Sequence, residues 1–247
     1  MQIKVDKLKY NNLKNISFNI EKNKITGIVS NNISDLIDLT NCLSNDIKDS
    51  GTITYSSKNK EKKIKKISPN MIFEMIDGKV IDFIDLKSIN NKYDSIKLDE
   101  SYNDRLLSTL STTEKIQLLF LSELNSNYDT IILAGILEEL DSKMRKIIIN
   151  LIVNLKKFED KTIVILSTDI DIIYEFIDSL VLIIDNKCYY NNNKYLIFNN
   201  KNVINNPSVK IPFCKKVENK VYEESNINLG NNENINELIK SIYRELR

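Results

Sequence analysis

The stretch ITGIVSNNISDLIDLTNCLSN, residues 25–45, decides the fold of this chain. Ile25–Val29 is a short and nearly continuous apolar run, which is typical of a buried central strand. Beyond a polar turn, leucines recur at helical spacing from Leu36 to Leu43, and Ser34 is a candidate N-cap ahead of them. The stretch therefore predicts a buried strand that runs through a short turn into an amphipathic helix.

The rest of the chain repeats this succession of strand and helix. Strands are predicted for ISFNI (Ile16–Ile20), GTITY (Gly51–Tyr55), MIF (Met71–Phe73), TIIL (Thr130–Leu133), TIVIL (Thr162–Leu166) and LVLII (Leu180–Ile184). Helices are predicted for Ser111–Leu124, Ser142–Phe158, Ile170–Phe176 and Ile235–Leu246, and in part for residues 79–107. Strands that alternate with helices predict a mainly parallel sheet with helices on both faces. The antiparallel pattern at the start of the chain predicts a β-rich subdomain beside that sheet.

The composition excludes several common active sites. The 247 residues contain no His, which excludes a Ser-His-Asp triad, a Cys-His dyad and any His metal site. The five Gly are too scattered to form a G-x-x-x-x-G-K-[ST] loop or a G-x-G-x-x-G turn. The three Cys form no C-x-x-C pair, which argues against a zinc or redox motif and fits a reduced cytosolic compartment. A net charge of +1 gives no reason to expect nucleic acid as a partner.

Two further features concern surfaces. The lysine-rich stretch Lys58–Lys66 is predicted to be a solvated hairpin loop, with contact to anionic lipid or RNA as the alternative. No run approaches 18 apolar residues, and the N-terminus lacks the apolar segment of a signal peptide. We therefore expect that any role at a membrane is exercised through a partner.

The order of the segments resembles one family. The stretches are LKNISFNIEKNKITGIVSNN (residues 13–32), SGTITY (50–55), LSTTEKIQLLFLSEL (110–124), TIILAGILEELDSKMR (130–145), TIVILSTDID (162–171) and DSLVLIIDNK (178–187). In this order they resemble six features of the nucleotide-binding subunits of ABC transporters. These are the opening strands that run into the phosphate loop, the strand after the first helix, the LSGGQ signature with its helix, the Walker B strand with its D-loop, the strand before the switch histidine, and the D-x-x-x-x-x-x-x-G-K exit segment. The tail, with LIF (196–198), VKIPFCKKV (209–217) and NINELIKSI (234–242), resembles the C-terminal extension of the energy-coupling factor ATPases, which power vitamin and metal-ion uptake.

This resemblance implies an α/β fold of the P-loop NTPase-like type, an ABC nucleotide-binding domain. We expect a mainly parallel sheet flanked by helices, an antiparallel β subdomain and a small helical subdomain. Residues 1–190 would form the nucleotide-binding-like domain, with the helical subdomain at about residues 75–125. Residues 191–247 would form the C-terminal extension.

The phosphate loop implied by the resemblance departs from the family pattern. It spans Ser30, Asn31, Asn32, Ile33, Ser34, Asp35, Leu36, Ile37 and Asp38. Ser30 and Asp35 stand at glycine positions, and Leu36 stands where the family has its phosphate-binding lysine. The missing lysine removes a contact worth about 1.5–3 kcal/mol, and a Cβ where glycine would be left-handed adds about 1–2 kcal/mol. The family uses Mg-ATP, but we expect this loop to bind it poorly.

The other nucleotide-site positions are also replaced. Ala134 and Gly135 stand at the Walker B Asp and Glu, and Thr168 stands at the switch His. Glu74, after the predicted MIF strand, stands at the Q-loop glutamine, and Tyr10 is a candidate for stacking on adenine. The nearest acids, Glu138 and Glu139, are expected to face the dimer seam rather than the loop. We therefore expect no catalytic residue and no metal site in this chain.

The signature and D-loop positions are better preserved. The signature is Leu110, Ser111, Thr112, Thr113 and Glu114, and Asp141 is the D-loop aspartate. Hydroxyl groups at a helix N-terminus can favour a phosphate held by another subunit. Family members work as head-to-tail dimers, so these residues are expected to point toward a partner.

Three hypotheses follow from the resemblance and its departures. The first is a degenerate ABC-type subunit of an uptake transporter, paired with a competent ATPase subunit and a transmembrane scaffold, and cytoplasmic at the membrane face. The second is an active ABC ATPase with a non-standard site. The third is a stand-alone interaction protein that kept the fold and has no transporter role.

Overall fold

The computed structural model describes residues 1–56, 63–89, 91–232 and 234–245. The strands are β1 (Gln2–Tyr10), β2 (Leu13–Ile20), β3 (Ile25–Ser30), β4 (Ser50–Ser56), β5 (Ile64–Ile67), β6 (Thr130–Ala134), β7 (Thr162–Ser167), β8 (Ser179–Ile184) and β9 (Lys187–Asn191). The helices are α1 (Ile33–Asn45), α2 (Asn70–Phe73), α3 (Val80–Phe83), α4 (Thr112–Leu124), α5 (Ser142–Glu159), α6 (Ile170–Ile173), α7 (Lys201–Ile204), α8 (Phe213–Ser225) and α9 (Ile235–Glu245). Short 3₁₀ turns connect α3 to α4 and lie before α7.

The strands form two sheets. The larger has the order β5-β6-β7-β3-β8-β9 and is parallel except for β9, which pairs antiparallel with β8. The smaller has the order β2-β1-β4 and is antiparallel throughout. This arrangement confirms the predicted α/β class, with its mainly parallel sheet and its antiparallel β subdomain.

The central strand β3 separates two hydrophobic cores. Its side chains alternate between faces, so that Ile25 and Val29 join the core shared with α4 and α5, while Ile28 joins the core shared with α1 and the smaller sheet. Burial on both faces explains why the strand reads as a continuous apolar run. Gly27 leaves room for neighbouring isoleucines, since a Cβ there would lie 2.7 Å from Cδ1 of Ile177.

The C-terminal residues contribute to the main core before they form a smaller cluster. Ile197, Phe198 and Val203 are buried in the core of the larger sheet. The buried Lys194 donates hydrogen bonds through Nζ to the carbonyl oxygens of Tyr174 (2.8 Å) and Glu175 (3.0 Å). Helices α8 and α9 pack on each other through a separate cluster of Cys214, Leu229 and Leu238. The boundary at residue 190 stays a prediction.

Three expectations about local structure are wrong. MIF is not a strand but forms most of the single-turn helix α2. The edge strand is instead β5, which overlaps the predicted lysine-rich loop at residues 64–66. Residues 58–62 of that loop lie outside the described residues. The N-cap of α1 is Asn32, not Ser34, because the Asn32 side chain accepts a hydrogen bond from the Ser34 N–H.

Helix α6 is shorter than predicted and ends at Ile173, while the helix expected over residues 235–246 is confirmed as far as Glu245. Within the described ranges, no helix is long and apolar enough to cross a membrane.

Candidate functional site

The turn between β3 and α1 is short, and its polar groups hydrogen-bond to one another. Only Asn31 and Asn32 separate the strand from the helix. The N–H of Asn32 donates to Oγ of Ser30 (3.1 Å), the N–H of Ser34 donates to Oδ1 of Asn32 (3.1 Å), and the N–H of Asp35 donates to the Asn32 carbonyl (3.2 Å). Three backbone donors that would otherwise be free to cradle a phosphate therefore already have acceptors.

The Asp35 carboxylate lies in the same turn. Asp35 is 5% exposed, and its carboxylate accepts hydrogen bonds from Oγ of Ser30 (3.1 Å) and Nδ2 of Asn32 (3.1 Å). Burial raises the pKa of Asp35, the hydrogen bond from Ser30 opposes that shift, and Asp38 adds to it. The N-terminal turn of α1, where the helix dipole favours negative charge, thus already contains a carboxylate.

The turn also avoids the strain expected from its missing glycines. None of residues 30–38, all of them within the described ranges, has a positive φ. The chain forms a different and shorter connection in which α1 begins at Ile33, three residues before the lysine position at Leu36. The expected cost of a left-handed Cβ therefore does not arise, and the wide phosphate loop is simply not formed.

A cavity of about 280 Å³ lies between α1 and the carboxyl ends of β5, β6 and β7. It brings together six of the sequence-predicted site residues: Ile33, Leu36, Ile37, Ala134, Gly135 and Thr168. It also includes residues that the sequence reasoning missed, above all Lys66 and Ser68 at the end of β5. This edge of a parallel sheet is where ligands bind in open α/β folds.

Glu138 lines this cavity together with Leu36 and Ile37 of the predicted loop, and its expected orientation toward a dimer seam stays a prediction. Its Oε1 accepts hydrogen bonds from Oγ of Ser167 (2.5 Å) and from the N–H of Thr168 (3.2 Å), both at the end of β7. Its Oε2 is buried without a hydrogen-bond partner. Glu139 is exposed and lines the same cavity. The turn after β6 produces this orientation, with Gly135 in the left-handed region at φ 68°.

Residues at the end of β7 connect the cavity to the C-terminal residues. Oγ of Ser167, which donates to Glu138, accepts a hydrogen bond from the N–H of Asp169 (3.0 Å). The Asp169 carboxylate forms an ion pair with Nζ of Lys210, which also contacts Asp171 (3.0 Å). Burial alone would raise the pKa of Asp169, but the contacts with Lys210 outweigh it, and the pKa lies below its ordinary value.

The structure separates Glu74 from the cavity. Glu74 is exposed at the C-cap of α2, and it does not follow a strand because MIF is helical. Ser68 instead follows β5 directly and lines the cavity. The premise for Glu74 is therefore wrong, while its Q-loop role stays a prediction.

The signature residues lie at the N-terminus of α4, where Ser111 and Glu114 form a capping box. Ser111 is the N-cap, and its N–H and its Oγ both lie 2.8 Å from Oε2 of Glu114. The hydroxyl of Tyr102 donates to Oε1 of Glu114 (2.8 Å). Burial alone would raise the pKa of Glu114, but these hydrogen bonds outweigh it and lower the pKa. Leu110 is buried, whereas Thr112 is exposed and Thr113 half-buried.

The last two predicted residues, Asp141 and Tyr10, lie at a helix cap and at a strand end. Asp141 caps α5, since its Oδ1 accepts from the N–H of Met144 (2.8 Å). Tyr10 ends β1 and is half-buried, and the neighbouring Asn11 donates through Nδ2 to Oδ1 of Asp38 on α1 (2.9 Å). Neither Asp141 nor Tyr10 lines the cavity described above.

The residues present do not fit Mg-ATP. The turn at the predicted phosphate loop contains the Asp35 carboxylate, which would repel a phosphate, and Leu36 has no charge that would attract one. Within the described ranges, no group of three or more Cys, Asp or Glu side chains is placed to hold a metal ion. We derive no step through nucleotide or magnesium at this site.

Comparison with solved structures identifies the fold. The chain superposes on cbiO1 from Clostridium perfringens, described as part of the ABC transporter complex cbiONQ, with a TM-score of 0.66 and 20% identity over 91% of this chain and 95% of that one. An ATP-binding cassette of an ABC transporter in its ADP conformation gives a TM-score of 0.64 and 19% identity, over 85% and 97% of the two chains. No protein-family model and no curated protein sequence matches the chain. The chain thus has the fold of the ATP-binding cassettes of ABC transporters.

Proposed function

We propose that this chain is a cassette-type subunit of an uptake transporter that does not itself bind or hydrolyse Mg-ATP. It pairs with a second, competent ATPase subunit and with a transmembrane scaffold at the cytoplasmic face of the membrane. The observation that carries this proposal is the turn between β3 and α1, where Asp35 and the committed backbone donors leave no place for a phosphate.

The expected loss of nucleotide affinity is large. A unit anion held about 4 Å from the Asp35 carboxylate would be repelled by about 4 kcal/mol at an effective dielectric constant of about 20. The absent lysine contact adds about 1.5–3 kcal/mol. Since 1.4 kcal/mol is tenfold in affinity, the two effects together weaken binding by about four to five decades.

Support for the partners comes from the comparisons and from an exposed apolar surface. The similar cbiO1 is described as part of a transporter complex, and another similar structure is a dimeric bacterial ABC transporter cassette. Among the described residues between β5 and α4, four large apolar side chains are exposed: Phe73 (73%), Ile76 (60%), Leu106 (51%) and Ile81 (47%). We propose that the scaffold docks on this surface, which supports the expectation of a docking face at and just before the predicted helical subdomain.

Co-purification from the native cell tests the docking proposal. We expect the tagged chain to retain a second cassette and a polytopic membrane protein, both identified by mass spectrometry. Phe73→Asp together with Ile76→Asp should release the membrane protein. Phe158→Asp is the matched control, because Phe158 is equally exposed (72%) but lies on α5. Equal retention by all three forms would contradict the proposed docking surface.

The signature is proposed to contribute to the partner's site. Replacing Ser111 with the bulky Arg should reduce the ATPase rate of the assembled complex, whereas the isolated chain should show no turnover. Thr109→Arg, a substitution at another exposed position before α4, is the control. Unchanged turnover in the Ser111→Arg complex would remove the signature role, and turnover by the isolated chain would contradict the whole proposal.

A further inference from the structure

Helices α8 and α9 form a lobe with a hydrophobic cluster of its own. The lobe comprises residues 213–232 and 234–245 of the described chain. Cys214, Leu229 and Leu238 are buried in its cluster, and none of the three belongs to either core of the sheets. A body with a separate apolar cluster can leave the rest of the chain without opening the main cores.

Buried polar contacts hold the lobe together from within. Glu218 on α8 is 6% exposed, and its Oε1 accepts hydrogen bonds from the N–H (2.7 Å) and the Nδ2 (2.9 Å) of Asn232. Oδ1 of Asn232 accepts a hydrogen bond from Oγ of Ser241 on α9 (2.7 Å). Nζ of Lys215 lies 3.2 Å from Oε2 of Glu218. Because buried hydrogen bonds to charged groups are costly to break, α8 and α9 should move together.

The start of the lobe is tied to the core by polar and partly exposed contacts. α8 begins after Pro212, which supplies no side-chain cap, and the N–H of Phe213 donates instead to Oδ1 of Asp171 on α6 (2.9 Å). Nζ of Lys210 lies 3.0 Å from Oδ2 of Asp171 and also pairs with Asp169. These three charged side chains, which we call the latch, are 38% (Asp169), 39% (Asp171) and 44% (Lys210) exposed. Ion pairs that are this exposed contribute little and are screened by salt.

The segment just before α8 belongs to the core. Val209 and Ile211 are half-buried and pack against the core of the larger sheet. The joint between the core and the lobe therefore lies at Pro212 and Phe213, directly beside the latch.

We infer that α8 and α9 separate from the core as one body, without global unfolding, and that the latch holds them closed. The latch lies on the turn after β7, which also carries Thr168 of the cavity wall. Opening of the lobe therefore removes contacts from a turn that borders the cavity. The inference goes beyond the proposed function, because it concerns a motion of the isolated chain and holds whether or not nucleotide or a partner binds.

Native-state hydrogen exchange of the purified full chain, followed by mass spectrometry, tests the inference. We expect the slowest-exchanging amides of α8 and of α9 to share one opening free energy, which lies below that of β3 and β7. Sodium chloride should speed exchange in both helices, because it screens the latch. Exchange of the two helices only through global unfolding, or different opening free energies for α8 and α9, would overturn the inference.

Variants of the latch give a second test. Lys210→Met should speed exchange in α8 and α9 together by about two- to fivefold and should remove most of its salt dependence. Asp171→Ala also removes the acceptor of the Phe213 N–H and should speed exchange by about tenfold.

Lys220→Met is the matched control, because Lys220 lies on α8 but pairs with the exposed Glu224 of the same helix (3.8 Å). It should change exchange by about twofold at most and leave the salt dependence in place. Exchange in Asp171→Ala and Lys210→Met that equals exchange in this control would refute the latch.

Discussion

The buried Lys194 should be a major anchor of the C-terminal residues, and Lys194→Met measures its contribution. The side chain is 3% exposed, and its ammonium donates to two carbonyls just beyond the C-terminus of α6. Methionine retains most of the apolar stem but leaves these carbonyls without this donor. Each such loss costs about 1–3 kcal/mol, less where water can replace the donor, as at the exposed Glu175. Relief from burying the ammonium offsets a further part. We expect a net loss of about 2–3 kcal/mol.

Thermal denaturation followed by circular dichroism tests this prediction. For a chain of this size, about 2–3 kcal/mol corresponds to a lowering of Tm by about 4–12 °C. Lys187→Met, at an exposed lysine on β9, is the control and should change Tm by less than about 2 °C. A Lys194→Met variant that melts together with this control would refute the assigned role of the buried ammonium.

Three further predictions concern stability. Gly27→Ala should lower the free energy of unfolding by about 1–3 kcal/mol in urea titration, since its Cβ would lie 2.7 Å from Cδ1 of Ile177; unchanged stability would show that β3 has more room than described. Lys210→Met should lower stability by less than about 1 kcal/mol at pH 7, because the ion pair with Asp169 is partly exposed. The pKa of Asp169 is lowered on folding, so the stability contributed by its ionised form is fully present above the ordinary pKa of an Asp and is lost as the pH falls through the lowered pKa. The difference in stability between Lys210→Met and wild type should therefore shrink as the pH is lowered through this range, and a difference that does not shrink would contradict the ion-pair explanation. Ser111→Ala should lower the free energy of unfolding by about 1 kcal/mol in urea titration, because α4 loses its N-cap hydroxyl. An unchanged free energy of unfolding would show that this hydroxyl does not stabilise the start of α4.

The sequence predicted the elements whose residues are buried on both faces. β3, β7 and β8 are apolar runs. Such strands are recognisable because neither face meets solvent, so polar residues do not recur at every second position. Helix α5 was equally clear, because its apolar residues follow the helical period.

The edge strand β5 was missed for the opposite reason. The segment has only four residues, two adjacent lysines between two isoleucines, and a short lysine-containing segment of this kind is easily taken for a loop. Lys65 forms an ion pair with Glu123 on α4 (3.1 Å), and Lys66 on the other face lines the cavity. The apolar segment MIF was predicted as a strand instead, but Pro69 precedes it at the N-cap of a helical turn.

The positions of the site were predictable, but its chemistry was not. The resemblance placed Leu36, Ala134 and Thr168 at one site, and the cavity contains all three. The orientation of Glu138 depends on the turn at Gly135 and on donors from β7, which is distant in sequence. The position of the Asp35 carboxylate in the turn between β3 and α1 depends on the start of α1 at Ile33. The spacing of residues in the sequence did not indicate that early start.

The central claim is that this cassette fold does not hold nucleotide, and the thermal midpoint of the purified chain with and without millimolar Mg-ATP tests it most directly. A ligand present at about 100 times its dissociation constant adds roughly 2.7 kcal/mol, which for this chain length raises Tm by about 5 °C or more. We predict no shift with Mg-ATP. A shift of that size would show that the folded chain binds nucleotide and would contradict the account.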